Sequence, residues 1–117
     1  EKMSEFFESD IVRGELEEIE RLQSEIHGDL FAFPALPHDE QKEHLVNLVA
    51  LVEKQRVLYT RICLSEDEDA KAMKEKIEQS ALMMGFSDQV SVMQMFDGMI
   101  RSIQNILDSP PYSNEPV

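Results

Sequence analysis

From about Glu40 to Leu64 the sequence is apolar on more than one side of any helix it can form. No other feature limits the fold so strongly. Leu45, Leu48, Val49, Val52, Tyr59 and Ile62 share one seam at helical spacing, and Val46, Leu51, Leu58 and Cys63 extend the surface around the axis. A helix apolar over so much of its girth needs cover from several neighbours or from a second copy of the chain. The spacing therefore places it at the centre, with Leu48, Val52, Tyr59 and Ile62 buried. Charge agrees: residues 31–64 balance four acids with four bases, whereas residues 1–30 carry ten acids against three bases. The second half of this helix turns basic at Lys54, Arg56 and Arg61, which suits a helix C-terminus and a pairing with the acidic segment before it.

That segment, from Ser4 to about Leu30, reads as one long helix of about 40 Å. Val12, Leu16, Ile19, Ile26 and Leu30 form a heptad-like seam with Gln23 as its polar interruption, and Ile11 and Leu22 widen the stripe. Phe31-Ala-Phe-Pro-Ala-Leu-Pro37 ends the periodicity, because two prolines three apart exclude a continuing helix. Phe31, Phe33 and Leu36 are expected to tuck this loop against the bundle, and Asp39 to cap the next helix. Ser65-Glu-Asp-Glu-Asp69 reads as a capping box in which Ser65 accepts from the Glu68 N–H and the Glu68 side chain reaches back. Without it, the second and third helices would run on as one. Ala70, Met73, Ile77, Ala81 and Met84 give the third helix its core face, and Gly85 ends it. Ser87 is expected to cap a fourth helix, whose apolar face is Val92, Phe96, Met99, Ile103 and Ile106. Pro110-Pro111 stops that helix. The expected fold is all-α: a three- to four-helix bundle with a long N-terminal helix, self-associating, in one domain over 1–117. The ordered core spans about 4–108, and 109–117 forms a loose tail.

With 24 acids against 11 bases, the net charge is −13. That excludes binding to a phosphate backbone, which needs clustered Lys and Arg, and it disfavours anionic membranes. No stretch reaches the length of a membrane span and no secretory signal is visible, so a cytoplasmic protein is expected, with Met3 as a candidate start. Cys63 is alone and reads as a small apolar residue. Glycine-rich phosphate loops are missing. Glu40 and His44 stand one turn apart, but a helical metal site needs further ligands from other helices. The acidic run 66–69 lacks the spacing of a calcium loop, and no catalytic residue, metal ligand or cofactor is assigned.

Phe6-Phe-Glu-Ser-Asp-Ile-Val12, Ile26-His-Gly-Asp-Leu-Phe31 and Lys54-Gln-Arg-Val-Leu-Tyr-Thr-Arg61 carry a family resemblance. So do Leu64-Ser-Glu-Asp67, Ala81-Leu-Met-Met-Gly-Phe86 and Met95-Phe-Asp97. Over about residues 5–107 the chain resembles an uncharacterised cyanobacterial domain-of-unknown-function family that also occurs in tailed phages infecting cyanobacteria, and it is more similar to the phage branch. The resemblance implies a cyanobacterial cell, including one under infection, and carries no activity. The residues themselves favour a non-enzymatic interaction module that pairs with itself and docks on an unidentified protein. Val46, Leu51, Leu58, Met93 and Met95 are the candidate contact residues. The methionines between Met83 and Met99 read first as ordinary core and second as an adaptable partner surface. A small metal-dependent enzyme using Glu40 and His44, and a phage structural component, are the alternatives.

Overall fold

The computed structural model describes residues 5–86 and 88–113, and every regular element in them is helical. A short helix α1 (Glu5–Glu8) leads into α2 (Asp10–Asp29). A 3-10 turn at Phe33–Ala35 then precedes α3 (His38–Leu64), α4 (Glu68–Met83) and α5 (Gln89–Leu107). Helix α3 is the hub, packed against α2, α4 and α5. Arg61 pairs with Glu15 of α2 at 2.8 Å, while Arg56 pairs with Asp97 of α5 at 2.7 Å, so the basic half of α3 is tied on two sides rather than to the first helix alone.

The wide apolar girth of α3 is divided between two clusters. Leu51, Leu58 and Ile62 pack with Val12, Ile19 and Leu22 of α2 and Ala70 of α4. Val52 and Tyr59 pack with Ala81 of α4 and Val92 and Phe96 of α5. Ile77 touches both clusters and joins them. Val52, Tyr59 and Ile62 are buried as expected, whereas Leu48 is only half-buried. In α2, Leu22 rather than the seam position Gln23 enters the core and Leu30 stays exposed. A straight helix turns every 3.6 residues and drifts off a 3.5-residue seam.

The helix ends correct several expectations. The first helix is not continuous: it breaks at Ser9, and α1 folds back so that the Phe6 N–H donates to Asp67 Oδ2 at 3.3 Å. Helix α3 starts at His38 with Pro37 at its N-cap, so Asp39 lies within the first turn instead of capping it. The α3–α4 break falls where Ser65 was read, but the capping box does not form. Asp67 is the N-cap, accepting from the N–H groups of Asp69 and Ala70, and Ser65 Oγ accepts from the Asp67 N–H. An ionised Asp is a strong acceptor at the positive end of a helix, so it displaces the Ser65 alternative. Helix α5 is capped by Asp88, whose carboxyl is held below its usual range by the Ser91 backbone and side-chain donors; Ser87 lies outside the described residues, as do Met3, Ser4 and 114–117. Gly85 ends α4 as read: at φ +96° it lets Phe86 N–H reach Ala81 O and its own N–H reach Leu82 O, the double closure of a Schellman turn.

Tyr112 belongs to the fold, not to a loose tail. Its hydroxyl donates to Gln41 Oε1 at 3.0 Å, and Gln41 Nε2 donates to Phe33 O at 2.8 Å. Gln41, buried at 8% exposure, thus clasps both the proline loop and the end of the chain to α3. Phe31, expected to tuck in, is 89% exposed; Phe33 does the packing instead, its ring 5.1 Å from that of His44.

Val52→Asp places an unpaired carboxylate at a site 1% exposed and is expected to unfold the chain, at a cost of several kcal/mol (roughly 3–5), read from urea and thermal midpoints. Tyr59 provides a subtler test. Its hydroxyl is buried with no hydrogen-bond partner, and burial, then the Cys63 thiol, then the charges of Glu78 and Asp88 push its ionisation above the usual phenol range. Stability is therefore independent of this group below pH 10.0, the ordinary phenol value, and falls as pH rises beyond it, because the unfolded chain can then ionise the phenol and the folded one cannot. Tyr59→Phe is expected to keep the unfolding free energy at pH 7 or raise it by up to about 1 kcal/mol, read from the urea midpoint, and to make the alkaline loss of stability shallower.

Candidate functional site

Two concave regions stand out, one apolar and one acidic. The apolar one is a groove of about 790 Å³ between the end of α4 and α5, lined by Met84, Phe86, Met95, Phe96, Met99 and Ile103, with Gln55, Gln94, Gly98 and Ser102 at its floor and edges. The Schellman turn at Gly85 builds one wall: it reverses the chain so that Phe86 folds inward over Ala81 while Met84 stays at the rim. Along α5, residues 95, 99 and 102 recur at helical spacing in the groove lining, while Val92 and Phe96 pack with Val52 and Tyr59 of α3 and Ile103 is buried. Gly98 leaves the floor open, since a Cβ there would meet nothing within 4 Å. Leu82, Met83 and Met84 are exposed by 60%, 89% and 62%. Met84 and Met99, assigned by their spacing to the core faces of their helices, are therefore on the surface.

The five candidate contact residues do not form one surface. Leu51 and Leu58 are buried at 7% and 8% against α2, so they belong to the intrachain core and are not open to a partner. Val46 is exposed on the first half of α3. Met93 is half-buried, its sulfur 3.9 Å from the Thr60 hydroxyl, and it packs on the α3–α5 cluster. Met95 alone of the five lines the groove. Periodicity found the methionines but not their partition, because which side of α5 is covered depends on where α4 stops. Leu82 was missed, while Met83 stood at the start of the methionine-rich run; four apolar residues just before a helix-ending Gly, more than one turn's core face needs, were the available signal.

The acidic region is a cleft of about 560 Å³ where the end of α2 meets the start of α3. It is lined by Ser24, Glu25, Gly28 and Asp29 from α2, Leu36 from the loop, and Glu40, Glu43, His44 and Asn47 from α3. His44 is 7% exposed, and its Nδ1 is buried without a hydrogen-bond partner, 3.7 Å from Asp29 Oδ2. Glu40 and His44 do share this cleft, but among the described residues no three His, Cys, Asp or Glu side chains gather closely enough to hold a metal ion. No described helix is long and apolar enough to cross a membrane.

Comparison with known proteins agrees with the family resemblance in its coarse form. Neither a curated protein nor a solved structure matches the chain. One family does match, over residues 4–108, nearly the full length and every helix described above. The chain belongs to that family, a domain of unknown function (DUF1825).

Proposed function

We propose that this protein is a non-enzymatic helical interaction module, working in the cytoplasm of a cyanobacterium or of one infected by phage, and that it pairs with a second copy through the α4–α5 face. The observation that carries the reading is the open groove, where Met84 and Met99 are exposed beside the half-buried Phe86 and Met95, with the exposed Leu82 and Met83 on the adjoining end of α4. Apolar surface gathered in one concavity is the ordinary mark of an interface. Thioethers suit it, because their flexible chains adapt to the shape of what they meet.

Charge favours a second copy as the occupant. Helix α5 carries one acid, Asp97, and one base, Arg101, and Asp97 is already paired with Arg56. In a chain of net charge −13, α5 is thus a neutral strip along which two copies approach with little repulsion. The acids of α2 act through solvent, where screening at physiological salt extends about 8 Å. The cyanobacterial setting draws on the resemblance of the Phe6–Val12, Ile26–Phe31 and Lys54–Arg61 segments.

Light scattering at micromolar concentration is expected to give a dimer mass. Gly98→Leu fills the groove floor and improves helix propensity by about 1 kcal/mol, so it should raise thermal stability while shifting the mass to monomer. Met99→Glu should have the same effect on mass, with the helical circular dichroism of the parent. A monomer at every concentration tested would remove self-pairing.

A further inference from the structure

We propose that self-pairing is a reciprocal exchange in which Phe31 of each copy inserts into the α4–α5 groove of the other. The inference rests on the self-pairing reading and deepens it by naming the side chain that fills the groove. Phe31 is 89% exposed, while the other seven aromatic side chains of the chain are buried or half-buried. It follows the exposed Leu30 in a loop, residues 30–37, that carries no charge. Phe33, not Phe31, packs that loop against His44, so an aromatic ring at position 31 is left in water. The groove suits such a guest. Met84, Met95 and Met99 line it with three thioethers, and thioether sulfur attracts the edge of an aromatic ring at about 5 Å in addition to the burial of apolar area. Gly98 keeps a notch among them into which a flat ring can descend, with nothing within 4 Å of where a Cβ would stand.

Charge and distance point the same way. The loop leaves α2 at Asp29 and enters α3 with Asp39 and Glu40 in the first turn, so acids flank the ring. On the groove side, Arg101 lies one turn beyond Gly98 and is the only base on α5, with no ion-pair partner among the described residues. An acid-flanked ring thus meets an apolar groove with a free base at its rim. The ring cannot fill the groove of its own chain. Gln55, in the groove lining, stands 17 residues beyond His38 along α3, about 25 Å from the end of the loop. The Arg56–Asp97 and Gln41–Tyr112 contacts run α5 antiparallel to α3, so the loop sits past the C-terminal end of α5 while the groove opens along its middle. Two copies laid antiparallel along α5, with a two-fold axis midway between loop and groove, place each ring over the groove of the other. The contact is then made twice and the pair closes as a dimer.

The chain has no Trp, so Phe31→Trp introduces a single fluorophore at the contact. Its emission is expected to move to shorter wavelength over the concentrations at which light scattering reports pairing, and Gly98→Leu in the same chain should abolish the shift. Phe31→Lys should weaken pairing by about tenfold or more while keeping the helical circular dichroism of the parent, although it lowers the net charge that opposes association. Ile11→Lys, at an exposed site on the far part of α2, should leave pairing within twofold. Mixing Phe31→Lys with Met99→Glu should restore a pair that neither variant forms alone, because one contact is then native and the other joins the introduced lysine to the introduced glutamate. A parent that stays monomeric at every concentration removes the self-pairing reading and this inference with it. A parent that pairs while Phe31→Lys pairs equally well, or while the Phe31→Trp emission stays that of a solvated indole, keeps that reading and overturns the exchange of rings alone.

Discussion

Burial of α3 from three directions at once is the constraint on which the other helices depend. Each covered direction uses different side chains: Leu51 and Leu58 toward α2, Val52 and Tyr59 toward α5, and Ile62 beside Ala70 of α4. Any one neighbour alone would leave the side chains of the other two faces in water, so α3 is held by the three together. Ile77 makes the dependence mutual, since it packs on both clusters and carries any loss in one into the other. The fixings at the two ends of α3 complete the arrangement. Gln41 clasps the proline loop and Tyr112 at one end, and Asp67 at the other caps α4 while accepting from the Phe6 N–H.

The open groove follows from a mismatch of lengths. Helix α4 has 16 residues and α3 has 27, about 24 Å against about 40 Å. After Met83 the chain turns at Gly85 and returns as α5, so the surface that a longer α4 would have covered stays uncovered. Met99 of α5, assigned to a core face by its spacing, lies in that groove and is short of burial.

The same mismatch decides how much was legible in the sequence. The central helix was readable because no other arrangement hides apolar residues all around an axis, and Val52, Tyr59 and Ile62 are accordingly buried. The proline loop and Gly85 were readable because their backbone chemistry is local. Caps were not, where two acceptors competed within three residues: Ser65 and Asp67 fit the same pattern, and ionisation favours the Asp. The break at Ser9 was hidden because what bends α1 back lies 61 residues away, at Asp67. The acidic cleft was half visible: the helical spacing of Glu40 and His44 put them on one face, but Asp29 reaches them only through a loop whose path periodicity does not specify.

The charge of this molecule is unevenly placed, and that bears on how an open apolar groove can be tolerated. The ion pairs that tie α2 and α5 to α3, Arg61–Glu15 and Arg56–Asp97, are partly exposed and contribute about 1 kcal/mol or less each, so they fix register more than stability. The remaining acids on α2 stay solvated and repel like copies over a few ångströms. Repulsion of that kind would penalise approach of a second copy along α2 more than along the near-neutral α5 strip. An apolar face on a uniformly neutral protein would admit many partners in many poses. In the proposed self-pairing the surrounding acids would withdraw most of those poses, so the excess charge that opposes association in general would make the proposed mode selective.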